Sequence, residues 1–163
     1  MHPKNKVFIG VVSAALLGGA ALWEGVSYTP YKDIVGINTV CYGETSNVQN
    51  RLYSQKECSQ MLTIRLQEFG TGVYKCSTQP MTQHQYDAFT LMAYNVGITG
   101  FCNSSAARYF NRGQIVQACN AIAFTPSGAP NWAYAGGKFV KGLHNRRLYE
   151  RQMCLGGTSG PTL

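Results

Sequence analysis

The segment Trp23-Glu24-Gly25-Val26-Ser27-Tyr28-Thr29-Pro30-Tyr31-Lys32-Asp33-Ile34-Val35-Gly36-Ile37-Asn38-Thr39 closes an uncharged apolar run and opens a stretch of short strands and turns. Glu24 ends the run, Asp33 follows after eight residues, and Thr39 after five more. Cleaving a glycosidic bond takes two carboxyl groups that flank it. One must hold its proton at working pH, and burial against apolar groups achieves this by penalising the charged form. Glu24, preceded by Ala20-Ala21-Leu22-Trp23, is placed for that role. Asp33, beside Lys32, suits the ionised partner, and a hydroxyl such as that of Thr39 can hold an attacking water.

Upstream of Glu24, Lys4 and Lys6 precede a charge-free run from Val7 to Trp23. A basic start followed by an apolar run has the layout of an export signal. The run falls short of the roughly 20 residues of a comfortable membrane span. It is also weakly apolar, since Gly, Ala and Ser fill half of residues 7–22. Three readings compete: a signal peptide cut near Ala20 or Ala21, a weak permanent anchor, and a transient anchor that leaves the bilayer and packs as a helix. In the anchored readings the lysines stay inside and the rest faces the periplasm.

The chain has 163 residues, enough for one domain. It carries 14 Lys plus Arg against 7 Asp plus Glu, a formal charge of +7, so any carboxylate chemistry draws on a short list of acids. The positive balance favours an anionic partner such as a polymer or membrane surface. No cluster of basic and aromatic residues supports nucleic-acid binding. Six scattered cysteines lack zinc-site or redox-motif spacing and point to disulfides in an oxidising compartment. They admit fifteen pairings, and the sequence does not choose among them. The expectation carried forward is Cys41 with Cys58, Cys76 with Cys102, and Cys119 with Cys154.

Patterning predicts a mostly helical chain with one small β region. Tyr28 to Thr45 reads as strands with turns at Pro30, Asp33 and Gly36. Asn47 to Tyr53 reads as a loop. Ser54 to Phe69 reads as a helix with a Ser54/Glu57 capping box, stopped at Gly70. Further helices are expected over Thr82–Val96, Ser104–Arg112, Gln114–Phe124 and from Lys141 or Leu143 to Leu155, with a Pro/Gly-rich loop over Thr125–Gly137.

Trp23-Glu24-Gly25, Tyr31-Lys32-Asp33, Gly36, Thr39-Val40 and Tyr42-Gly43 resemble the amino-terminal signature of phage-type lysozymes, glycoside hydrolase family 24. The Glu, Asp and Thr at this spacing match that family's catalytic triad. Leu62 to Lys75, Met81 to Ala88 leading to Tyr94-Asn95-Val96-Gly97, and Ala135 to Lys138 with Gly142-Leu143 and Arg146-Arg147-x-x-Glu150 are similar to its later blocks. The resemblance covers about residues 23–155. It implies an α+β, mostly α, lysozyme-like fold in which a small β-containing lobe and a helical lobe flank a cleft.

The implied activity is that of an endolysin: a muramidase hydrolysing the β-1,4 bond between N-acetylmuramic acid and N-acetylglucosamine in peptidoglycan, with host lysis as the result. Glu24 would be general acid, Asp33 would orient or deprotonate water, and Thr39 would assist. Inversion is expected if the carboxyls stand roughly 6.5–9.5 Å apart. Tyr31, Tyr42 and Asn95 are candidate substrate contacts. No metal or organic cofactor is implied, and a monomer is expected. The front end resembles the signal-anchor-release sub-class, which implies residues 1–23 as the releasable segment and 24–163 as the catalytic domain. The chain would be tethered and inactive at the host inner membrane through residues 7–23, then released to the periplasm.

Three departures from the family pattern stand out, one of them Asn38, which sits where a larger residue is common. Glu44 occupies a place where His is common, adding a third carboxylate or replacing a structural partner. Cys41 lies two residues from Thr39, where a structural disulfide is expected. Arg146 and Arg147 are expected to divide between packing or ion pairing and solvent, His84 to lie on a helix surface, and Trp132 to pack in the core. The rival readings are a lytic transglycosylase on a similar fold and a non-catalytic, membrane-tethered wall-binding protein.

Overall fold

A computed structural model describes residues 10–156, and every structural statement below concerns those residues. Helix α1 (Ala14–Glu24) starts where the Ser13 hydroxyl accepts a hydrogen bond from the Leu16 amide. The same hydroxyl donates to Asp87 Oδ2 at 2.6 Å. Gln83 then bridges Asp87 Oδ1 (2.7 Å) and the Val11 carbonyl (3.0 Å), so the entry to α1 is tied to a later helix. Leu16, Gly19 and Ala20 form its buried face. Gly19 is a close-approach position, because a Cβ there would come within 3.2–3.3 Å of Tyr149 and Leu91. The helix ends at Gly25, whose φ of 68° lies in the left-handed region.

Strand β1 (Ser27–Lys32) pairs antiparallel with β2 (Asn38–Cys41), with Tyr31 opposite Thr39 and Lys32 opposite Asn38. The expected turn at Pro30 is not there. Pro30 lies inside β1 where the register shifts between Ser27 and Tyr31, a place that tolerates a residue without an N–H. The turn is formed by Asp33 to Gly36 alone.

Helix α2 (Gln55–Lys75) opens with the Ser54/Glu57 capping box. It does not stop at Gly70 but runs on to Lys75. Gly70 is a contact position rather than a terminator: a Cβ there would run into the Tyr86 ring of α3 (Gln83–Val96). Thr82 and Gln85 form a second capping box at the start of α3. From Tyr86 to Ala93 every α3 residue is buried, which makes it the central helix. The unanticipated α4 (Ile98–Cys102) follows directly on Gly97. Helices α5 (Ser105–Asn111) and α6 (Ile115–Ala123) flank Gly113. The expected loop ends in a two-residue hairpin, β3 (Tyr134–Ala135) and β4 (Lys138–Phe139), before α7 (Lys141–Cys154).

The helices enclose one large core around Phe89, Leu91, Phe101 and Phe110, to which Leu16 and Ala20 of α1 belong. Trp132 packs against its edge, and His84 is exposed. A second, small core of Val40, Cys41, Tyr53 and Cys58 lies under the β hairpin. Disulfides join Cys41 to Cys58, Cys76 to Cys102, and Cys119 to Cys154. In the chain-entropy model, closing loops of this size contributes on the order of 3–4 kcal/mol each. Among the described residues no helix is long and apolar enough to cross a membrane.

Burial pushes the Asp87 carboxyl above its ordinary range, against the opposing effect of its bonds to Ser13 and Gln83. The folded state therefore holds that proton more tightly than the unfolded chain does. Its contribution to stability is full below the unfolded value of 3.8 and is lost as pH rises through the folded value. Asp87→Asn should flatten that part of the profile, read as melting temperature against pH from 3.8 upward.

Candidate active site

Glu24 is the last residue of α1, and its Oε1 accepts a hydrogen bond from Arg146 Nη1 at 2.8 Å. The apolar enclosure expected around this carboxyl is not what the structure contains. The side chain is 25% exposed, and its polar partner is a guanidinium from α7. That guanidinium is itself held, since Arg146 Nε donates to Glu150 Oε1 (3.2 Å) and Nη2 to the Leu91 carbonyl (3.3 Å). Arg147 Nη2 donates to the same Glu150 oxygen at 2.8 Å. The expectation that one of the two arginines faces solvent is wrong: both are buried, as is Glu150. Spacings of three and four residues put both arginines on the Glu150 side of the helix, where one buried carboxylate needs two cations of fixed geometry. Burial pulls Arg147 below its ordinary value and pushes the Glu150 carboxyl up, while each restrains the other's shift.

Asp33 stands half-buried at the end of β1, where its Oδ1 accepts from the Val35 and Ile37 amides at 2.9 Å each. Its backbone closes the same turn, with Asp33 N donating to the Ile37 carbonyl and Gly36 N to the Asp33 carbonyl. One carboxylate oxygen is thus fixed by the turn. Thr39 is buried on β2, and its hydroxyl donates to the Ile37 carbonyl at 3.0 Å. With that proton engaged, the oxygen is left as an acceptor. Asp33 and Thr39 are brought together by their shared partner Ile37, one at each end of the turn.

A small hollow between the β region and the helices is lined by Tyr42, Glu44, Met61, Arg65 and Tyr94, among others. The Tyr94 hydroxyl donates to the Tyr42 carbonyl at 3.4 Å and so links α3 to the segment after β2. Burial, with Glu24 and Glu44 adding to it, pushes the Tyr94 hydroxyl up to about 12. Of the candidate sugar contacts, Tyr42 lines this hollow, Tyr31 is exposed on β1 opposite Thr39, and Asn95 is exposed at the end of α3. Tyr94, next to Asn95, and Arg65 were not anticipated. The interval-four pair Arg146/Glu150 was legible as a motif, but its reach to Glu24 was not. Among the described residues no group of His, Cys, Asp and Glu could hold a metal ion.

A model of the phage lysozyme family matches residues 21–150. The chain belongs to the phage lysozyme family. It is 38% identical over 136 residues to the SAR-endolysin of Enterobacteria phage P21, covering 82% of this chain and 78% of that one. It is 35% identical over 154 residues to the SAR-endolysin of Pseudomonas phage phiKMV, covering 93% and 92%. Among solved structures, the endolysin from Escherichia coli O157:H7 phage FAHEc1 superposes with a TM-score of 0.77 at 28% identity, covering 93% of this chain and 96% of that chain. A P22 lysozyme mutant does so with 0.78 at 26%, covering 88% and 97%. The fold is lysozyme-like, and the chain is an endolysin of the signal-anchor-release sub-class with lysozyme-type glycosidase activity.

Breaking the cluster from its two ends should cost unequal amounts. Arg146→Met strips a donor from buried Glu150, so a loss of about 3 kcal/mol is expected, or roughly 6–12 °C in melting temperature. Glu24→Gln keeps an acceptor at the half-open end and should cost under about 1 kcal/mol. Thermal unfolding of the two variants checks the order; equal losses would contradict it.

Proposed function

We propose that this lysozyme cleaves the β-1,4 bond between N-acetylmuramic acid and N-acetylglucosamine in peptidoglycan, with Glu24 as general acid, Asp33 as the water-directing base and Thr39 as its helper. The observation that carries this reading is the construction of the two carboxyl groups. Each has one oxygen fixed: Glu24 by a buried arginine, and Asp33 by two turn amides. Each keeps its other oxygen for chemistry. Arg146 aims Glu24 without enclosing it, so the carboxyl stays open to a leaving oxygen. The Asp33 turn sets the second carboxylate on a separate element, and the Thr39 oxygen can accept from a water there. Tyr94 keeps its proton through the working range and ties α3 to the segment after β2 at Tyr42.

The amino-terminal run supports a second part of the reading. Residues 7–23 tether the chain to the host inner membrane, and their exit supplies α1. While the run is in lipid, Glu24 sits at its edge, away from Arg146 Nη1, so tethering is itself the inhibition. Release to the periplasm lets Leu16, Gly19 and Ala20 enter the core and seats Glu24. The released enzyme acts as a monomer on peptidoglycan.

Glu24→Gln should lower muramidase turnover by a factor of about 100 to 10,000 with the fold retained, and Asp33→Asn should also lower it. Proton NMR of the first products should show the anomer opposite to the substrate's. Anhydro-sugar ends in the mass spectrum would instead establish the transglycosylase. Gly18 is exposed and has open space where a Cβ would project. Gly18→Leu should therefore leave the packed form intact while raising membrane affinity. Cell fractionation should then find more chain in the membrane pellet and lysis delayed; unchanged partition would rule out release through this segment.

A further inference from the structure

The turn between β1 and β2 presents three aliphatic side chains to solvent. Ile34 is 104% exposed, Val35 73% and Ile37 49%. Scattered exposed aliphatics are ordinary, but three within four residues at one hairpin tip form a contiguous patch of the kind that marks an interaction surface. Four amides beneath them are paired within the turn. Val35 and Ile37 amides donate to Asp33 Oδ1, the Gly36 amide to the Asp33 carbonyl, and the Asp33 amide to the Ile37 carbonyl. Pairing these four amides within the turn lowers the penalty that they would otherwise carry on approaching an apolar medium.

We infer that this tip is a lipid-contact surface, which dips its three aliphatics into the interface of an anionic phospholipid bilayer. Three observations favour lipid as the occupant. The tip follows the apolar run closely, since only Gly25 and Val26 separate α1 from β1. A run seated in a bilayer therefore places the hairpin root at the bilayer surface. The hairpin has its own small core of Val40, Tyr53 and the Cys41–Cys58 disulfide, apart from the large core that Leu16 and Ala20 of α1 enter. It is thus available while α1 is still in lipid. Lys32 adjoins the tip and the chain carries +7 overall, both of which suit an anionic surface. The consequence concerns Asp33: with the tip in the interface, this carboxyl is held at the membrane as Glu24 is. The inference rests on the membrane-tethered part of the proposed function and adds a second contact to it.

The test uses the released, full-length protein and vesicles of phosphatidylethanolamine and phosphatidylglycerol at 3:1, with flotation as the readout. The doubly substituted Ile34→Ser/Val35→Ser protein should partition onto vesicles at least tenfold less than the parent. Ile64→Ser, which removes another exposed aliphatic from α2, should partition like the parent. Equal binding by the parent and the double variant would overturn the inference, as would an equal loss with Ile64→Ser. So would a parent that does not bind these vesicles. Clearing of purified peptidoglycan by the parent, with no lipid present, is read separately. Its failure would count against the muramidase reading and leave the vesicle result intact.

Discussion

Arg146 cannot be replaced without disturbing three parts of the molecule at once. Its guanidinium ties the end of α1 through Glu24, the middle of α3 through the Leu91 carbonyl, and its own helix through Glu150. A buried cation is costly when its donors lack acceptors, and the acceptor for Nη1 is present only when α1 is in place. The site geometry and the packing of the first helix are therefore one condition. A chain in which α1 is elsewhere lacks the carboxylate at position 24 and leaves a guanidinium short of a partner.

The same coupling explains why two cores serve better than one. The large core accepts Leu16 and Ala20 and so depends on α1. The small core under the hairpin is built from residues 40–58 and closed by a disulfide. Asp33 and Thr39 stand on the hairpin over the small core, and Glu24 on the helix that enters the large one. The Tyr94 hydroxyl reaching the Tyr42 carbonyl crosses the seam between the two cores.

Much of this was legible in the sequence where local physics governs. The Ser54/Glu57 box, the apolar spacing of α3 and the glycines after several helices all act within a few residues. What escaped was tertiary. Gly70 reads locally as a stop, yet it continues α2 because α3 needs room for Tyr86. Pro30 reads as a turn, yet it sits in an irregular strand pairing. Glu24 follows apolar residues in the chain, which implied an apolar pocket; its true neighbour lies 122 positions away. Tyr94 was passed over for Asn95, because a helix turns about 100° per residue and sequence alone did not fix which of the two faces the hollow.

On the proposed release reading, the composition of α1 has to suit two surroundings. A helix that lives only in a soluble core gains from large apolar residues on its buried stripe and polar ones outside. A permanent membrane helix gains from large apolar residues all round. This helix is apolar all round, but its exposed positions include Ala14 and Gly18 rather than Leu or Ile. Small side chains give up little in lipid and expose little to water, where burial is worth about 25 cal/mol per Å² of apolar surface. They also let Gly19 meet Leu91 and Tyr149 at close range. On that reading, the small residues that would weaken α1 as an anchor are the ones that let it pack against α3 and α7.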